Sequence, residues 1–438
     1  MRSHRLLAPW RRLRLRSQPA GLTRRQRRNF FYTQMDALGV GLVMAVSPFL
    51  AVFLTRLGAT NQQVGLLSAI PGIVGLFLGL AMAGFLQTRR NIVPWYSGAR
   101  FIRLLTYGGV GLAALLLPAE YAISAILVMV LISSIPQALL SVAFSGMMNA
   151  IAGPEHRFAL LSRRWSTIAI IGAAMTLVVG QILDRVPFPL NYEIAFVSFA
   201  AVGAAISLVF SRRIDLPETE PDATFGRSEP WMGQIGDLAR AIWAEKPYIN
   251  IVFKRLVYIM GSHLVIPLFA LYYVRELQAT DAQISMISTT QQVMLLVGYY
   301  IWPRLRKRRG SRFVLLATTF VMALYPSLTA ATRQVGIMIV LAGAASIFQA
   351  GVNLVFFDKL METVPEEGGA MFVAVAQTLQ HLESIVGPLV STWLTIYIGL
   401  GGALILGTCF RLAGFALFLS DRGDRESRGT ASATGQLR

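Results

Sequence analysis

Long apolar runs alternate with short polar breaks along almost the whole chain. The first six runs lie at about 30–53, 64–86, 92–117, 121–148, 165–183 and 192–210. A longer polar segment, 211–246, follows and carries Pro217, Pro221 and Pro230. A second six lie at about 248–273, 284–305, 313–329, 335–357, 370–398 and 400–419. A bilayer-spanning helix needs about 20 mostly apolar residues at 1.5 Å each, and every run approaches or exceeds that length. The pattern therefore predicts an all-α integral membrane protein with twelve transmembrane helices. Within the polar segment Trp231, Ile235, Leu238 and Ile242 fall near one helical face, which predicts an amphipathic helix lying on the membrane surface.

Composition agrees. Of 438 residues 55% are hydrophobic and 14% charged, against about 25% charged in soluble domains. The net charge of +18 would suggest nucleic acid in a soluble protein. Here the basic residues sit in the breaks between apolar runs, where positive-inside orientation explains them, and no nucleic-acid partner is expected. With both termini cytoplasmic, the outer loops hold only Arg56, Arg185, Arg275 and Arg333, and Arg411 lies in the last run. The run Arg304, Arg306, Lys307, Arg308, Arg309 and Arg312 fixes its loop inside. One inner loop, 358–367, is acidic, with four acids and one Lys; acids contribute little to the rule. Residues 1–28 hold ten Arg and no acid, and are expected to be a retained basic tail binding anionic headgroups rather than a cleaved transit peptide. Cysteine occurs once, as Cys409, and the four histidines are scattered. No disulfide, metal site or cofactor is expected.

The two sets of runs repeat each other. Ser47-Pro48-Phe49-Leu50-Ala51 answers Ile266-Pro267-Leu268-Phe269-Ala270, and Arg56 answers Arg275. Thr60-Asn61-Gln62-Gln63 answers Thr280-Asp281-Ala282-Gln283; both read as capping boxes opening a helix. Ser134-Ile135-Pro136-Gln137-Ala138 answers Ser346-Ile347-Phe348-Gln349-Ala350, Pro154-Glu155 answers Pro365-Glu366, and Gly180 answers Gly387. The order is kept throughout, which predicts two pseudo-symmetric six-helix bundles. The expected division is a tail 1–28, a first bundle 29–210, a linker 211–247, a second bundle 248–420 and a tail 421–438.

In its repeat, its middle loop, its basic loops after the second and eighth runs and its Pro154-Glu155-His156-Arg157 turn, the chain resembles the major facilitator superfamily. The loop pattern Gly-x-x-x-Asp-Arg-x-Gly-Arg-Arg of that family is degenerate. Gly84 and Arg89 fit, with Thr88 for the Asp and Asn91 for the second Gly; Gly310 and Arg312 fit, with Lys307 for the Asp. The fifth run also lacks the Gly-Pro pair of proton-coupled drug exporters, so the resemblance does not imply drug export.

The resemblance implies a secondary transporter moving a small solute by alternating access, with a proton as candidate coupling ion. A lipid flippase or a transport-inactive sensor on the same fold is the alternative. No phosphate-binding loop and no nucleophile–base constellation occurs, so an enzyme is not expected. The expected setting is the bacterial inner membrane, as a monomer. Charges at membrane depth mark functional candidates. Asp36 and Arg255, beside Lys254, are repeat mates, and two readings stand: a gate across the cytoplasmic mouth that is closed in the outward-facing state, or two snorkelling charges. Gln137 and Gln349, with Asn353 a turn further, suit either a polar substrate or helix–helix hydrogen bonds. Gln377, Gln380, His381, Ser384 and Pro388 form a polar face with Glu383 at its edge. Glu383 and His381 read as a proton or substrate site, or Glu383 as the counter-ion of Arg411. His263 is a further pathway candidate.

Overall fold

The structure, a computed structural model, describes residues 22–217, 242–365 and 369–420. Among them the regular elements are all helical: α1 Arg24–Val46, α2 Phe49–Arg56, α3 Asn61–Gln87, α4 Val93–Leu116, α5 Ala119–Arg185 and α6 Leu190–Ser211, then α7 Lys246–Leu271, α8 Asp281–Arg309, α9 Ser311–Ala331, α10 Val335–Thr363 and α11 Gly369–Leu419. A π-helical turn, Tyr272–Glu276, extends α7. The predicted surface helix and the tails up to residue 21 lie almost wholly outside the described residues.

Helix starts follow local chemistry. Thr60 and Thr280 each accept from the backbone N–H of the Gln three residues on, and each Gln side chain bonds back, so both predicted capping boxes form. A third, unread in the sequence, opens α1 with Thr23 and Gln26. It places Arg24 to Arg28 inside the helix rather than in a tail. Arg25, Arg28 and Asn29 then hold Asp215, tying the start of α1 to the segment after α6.

Two helices are too long for any bilayer. The 67 residues of α5 and 51 of α11 would run about 100 and 75 Å as straight rods. Each instead folds back at one glycine, Gly153 (φ 68°, ψ 172°) and Gly399 (φ 68°, ψ 175°). That backbone region is essentially closed to residues with a Cβ. The turn expected at 154–157 is thus made by Gly153 one residue earlier; the side chains of Pro154, Glu155 and Arg157 lie outside what the structure describes. Ten helical stretches are long and apolar enough to cross a membrane. Many large apolar side chains face outward, among them Phe77, Leu116, Val340 and Phe357, as a lipid-facing surface requires.

In one group, α1 packs on α5 and α6, α4 on α5 and α6, and α3 on α5. In the other, α7 packs on α11, α8 on α10, and α9 on α10 and α11. The groups meet where α3 lies on α11 and α8 on α5. Each contains a crossing of glycine on glycine. A Cβ at Gly203 would fall 2.6 Å from the Gly39 carbonyl, and one at Gly261 2.8 Å from the Gly407 carbonyl. Small residues let helix backbones approach where lipid supplies no hydrophobic drive. The acidic stretch that opposed the charge count is largely the end of α10: Asp358 pairs with Arg306 at 2.6 Å, so the acids neutralise the basic end of α8.

Candidate functional site

A cavity of about 610 Å³ lies between α3, the first half of α5 and the first half of α11. Its polar wall is made of neutral donors and acceptors: Ser134, Gln137 and Ser141 from α5, Ser68 from α3, and Gln377, Thr378 and Ser384 from α11 beside His381. Gln377, His381 and Ser384 are spaced by four and three residues and so share one helical face. The facing wall of α3 is a glycine row, Gly72, Gly75 and Gly79. A Cβ at Gly75 would lie 2.5 Å from His381 Cε1, and one at Gly72 would strike Ser384 Oγ. At Gly79 nothing lies within 4 Å. The seam between α3 and α11 is therefore tight from Gly65, against Thr392 and Pro388, down to His381, and opens below it.

Beyond the seam the molecule is shut by two arginines. Arg56, ending α2, donates from Nε to Asp281 Oδ1 at 3.0 Å and from Nη2 to the Ala279 carbonyl at 2.9 Å. Arg275, in the π-helical turn, donates from Nη1 to Asn61 Oδ1 at 2.5 Å and from Nη2 to the Ala59 carbonyl at 2.6 Å. Arg56 and Arg275 are repeat mates, as are Asp281 and Asn61. Each arginine grips the first residue of the other group's capped helix and the carbonyl just before its cap. Tyr192 reinforces one side, donating to Asp281 at 2.6 Å, and Asn61 donates to Thr395 at 2.7 Å. The sequence showed these residues as repeat matches, but not that each crosses to the opposite group.

The buried charges pair differently from the sequence expectation. Asp36 meets Arg164 at 2.7 Å and accepts a short hydrogen bond from Ser207; it and Arg164 are each 1% exposed. The Asp36–Arg255 gate is not formed here. A carboxylate that deep needs a donor within hydrogen-bond reach, and Arg164 supplies it from inside the same helix group; nor does Asp36 snorkel. Arg255 instead donates to Gln380 at 3.1 Å, and it is the cation whose field reaches Glu383. Lys254 beside it is buried as well. Nor do Glu383 and Arg411 pair. Arg411 turns toward α9, donating to the Met322 carbonyl at 2.7 Å, with its stem against Gly261. Glu383 is 4% exposed, and its Oε1 has no partner among the described residues.

Of the other candidates, Gln137, Gln377 and His381 reach the cavity. Gln349 does not line it: its amide donates to Asn353, which donates to Tyr299 on α8. His263 packs against Gly387 at the α7–α11 contact. Arg103, which the sequence reading passed over, donates to Gln137 at 3.3 Å. Its signal was a cation deep in the third apolar run.

Comparison with known proteins bears on this geometry. Residues 251–437 match the family model of the Major Facilitator Superfamily. A solved bacterial homolog of the human lysosomal transporter Spinster, inward-facing and unoccupied, gives a TM-score of 0.69 at 12% identity, covering 91% of this chain and 97% of that one. The nucleoside transporter NupG gives 0.65 at 13% identity, covering 90% and 99%. The xylose transporter XylE from E. coli, in a partially occluded inward-open conformation, gives 0.63 at 14%, covering 90% and 99%. No curated protein matches the sequence significantly. The apolar helices make this a multi-pass integral membrane protein, and these likenesses show that it shares the fold of the compared transporters. The match to the superfamily model covers the second helix group and stops short of the first.

Proposed function

We propose that the chain is a secondary active transporter that moves a small, uncharged, hydrogen-bonding solute by alternating access of two six-helix bundles, 29–210 and 248–420. Twelve spans follow if α11 counts as two at Gly399 and the more polar α8 is added to the ten apolar stretches. The glycine-on-glycine crossings at Gly39 and Gly203, and at Gly261 and Gly407, support the two-bundle division, since the first and last helices of each half meet in the same way, about one turn from the strict repeat register. Both termini lie in the cytoplasm under this reading, and the arginine clasp faces outside.

One observation carries the proposal: the molecule is shut at the clasp and along the α3–α11 seam, while a cavity with amide and hydroxyl groups in its wall opens beyond His381 toward the other end. That is one state of an alternating cycle, open inward. The cavity's wall sets amides, hydroxyls and His381 among apolar residues such as Leu76, Val142 and Val375, and among the described residues no Asp, Glu, Lys or Arg lines it, which suits a neutral solute with hydrogen-bonding groups. NupG and XylE are named for nucleoside and xylose, solutes of that chemistry. Glu383, buried beside the lining residue Ser384 with one oxygen unpartnered, is the proposed proton carrier. The test is uptake and counterflow of neutral sugars, polyols and nucleosides in proteoliposomes, with and without an imposed proton gradient. Uptake of at least one, accelerated by the gradient, is expected. Absence of both uptake and counterflow across the panel would sink the proposal.

A further inference from the structure

We propose that the end of the molecule opposite the clasp holds a second ligand site, one that recognises a phosphate group. A separate cavity of about 620 Å³ lies there between the starts of α7 and α9 and the ends of α10 and α11. Lys246, Arg312 and Lys359 converge on it from three different helices, against one carboxylate, Glu362. Glu362 is already engaged by Lys359 at 2.9 Å. Neither Lys246 nor Arg312 has an ion-pair partner among the described residues. Bringing like charges into one enclosure is unfavourable unless an anion joins them.

The backbone points the same way. Both α7 and α9 begin here, and neither start has a side-chain cap. Their first N–H groups therefore add partial positive charge to the same space. An arginine fork and an ammonium suit phosphate oxygens, one bidentate and one as a point charge. The wall also has an apolar portion, Leu315 and Phe418, able to take a hydrocarbon substituent. The shared chemistry is a phosphate ester, whether the headgroup of an anionic lipid or a soluble organic phosphate. Because Lys246 ends the linker between the two helix groups, occupancy would tie that linker to α9 and α10.

The test uses the full-length protein in neutral detergent and reads thermal unfolding. Inorganic phosphate is compared with chloride at equal ionic strength, and phosphatidylglycerol with phosphatidylcholine. The unfolding temperature of the wild type should rise with a phosphate ligand beyond its control. Half-maximal stabilisation should need roughly tenfold more ligand for each cation removed, in Lys246→Gln and in Lys246→Gln with Arg312→Gln. Lys246→Arg should bind as the wild type does. A response to inorganic phosphate assigns the soluble source, and a response to phosphatidylglycerol alone assigns the lipid. Lys246 is exposed, so the single variant keeps the test open if the double one does not fold. No response to either ligand, or an unchanged response in Lys246→Gln, overturns the proposal.

Discussion

At the scale of single residues, two buried carboxylates contrast: Asp36 is satisfied, and one oxygen of Glu383 is not. Asp36 has a guanidinium and a hydroxyl on it, deep inside its helix group. Arg164→Met should cost about 3–5 kcal/mol, because it strands a buried carboxylate, and Asp36→Leu in the same chain should recover most of that. Thermal unfolding in detergent measures both. Glu383 is the opposite case, with Oε1 left without a partner and Arg255 acting from a distance. Such a group can gain and lose a proton without dismantling an ion pair. Glu383→Gln mimics the protonated acid, so exchange of substrate between preloaded vesicles should persist while gradient-driven transport is lost. Wild-type coupling in that variant rules the role out. The sequence located Asp36, Arg255 and Glu383 but passed over Arg164, and it did not give the partners that these charges have here. The repeat fixes where a residue sits along its helix, whereas pairing depends on which way each helix face turns, and that is set by packing.

At the scale of helices, the sequence carried most of the outcome. The capping boxes at Thr60 and Thr280 formed, and the boundary expected at residue 399 is where Gly399 reverses the chain. These features are local, so a short stretch of sequence is enough to read them. The cavity is not local. Its α11 face was legible from the spacing of Gln377, His381 and Ser384, but the glycine row of α3 has no signal until α11 is laid against it. Gln349 shows the limit of symmetry: it is the repeat mate of Gln137, yet only Gln137 borders the space, because the two helix groups contribute unequally to it. The α3–α11 seam yields a prediction of its own. In Gly75→Val the added carbons meet the His381 ring. The protein should still insert, but the seam should not close, and transport should fall at least tenfold, about 1.4 kcal/mol or more of the closed state's free energy. Transport normalised to folded protein checks this, and wild-type rates would show that the seam is not part of the cycle.

For the whole molecule, the proposed orientation rests on the distribution of charge. Single cysteines on a Cys409→Ala background report it, since Cys409 is itself exposed. A cysteine at Gly58, beside the clasp, should react with an impermeant reagent added outside. One at Arg308, at the basic end of α8, should react only after the membrane is opened. External labelling at position 308 would reverse the assignment and put the cavity mouth on the other side.

The clasp is symmetric in position and asymmetric in charge. Arg56 faces a carboxylate, Asp281, while Arg275 faces a neutral amide, Asn61. Counter-ions weaken the first and leave the second almost untouched. In the proposed orientation and cycle the external medium acts through one arm only, which makes ambient salinity an input to how often the outer door opens. In the wild type, raising salt outside should increase labelling of a cysteine placed just behind the clasp at Ser68. In Asp281→Asn each arginine faces a neutral amide and no ion pair is left to screen, so the labelling should be high at low salt and flat thereafter. A salt response that survives in Asp281→Asn would show that the door is held by something other than its single ionic hinge pin.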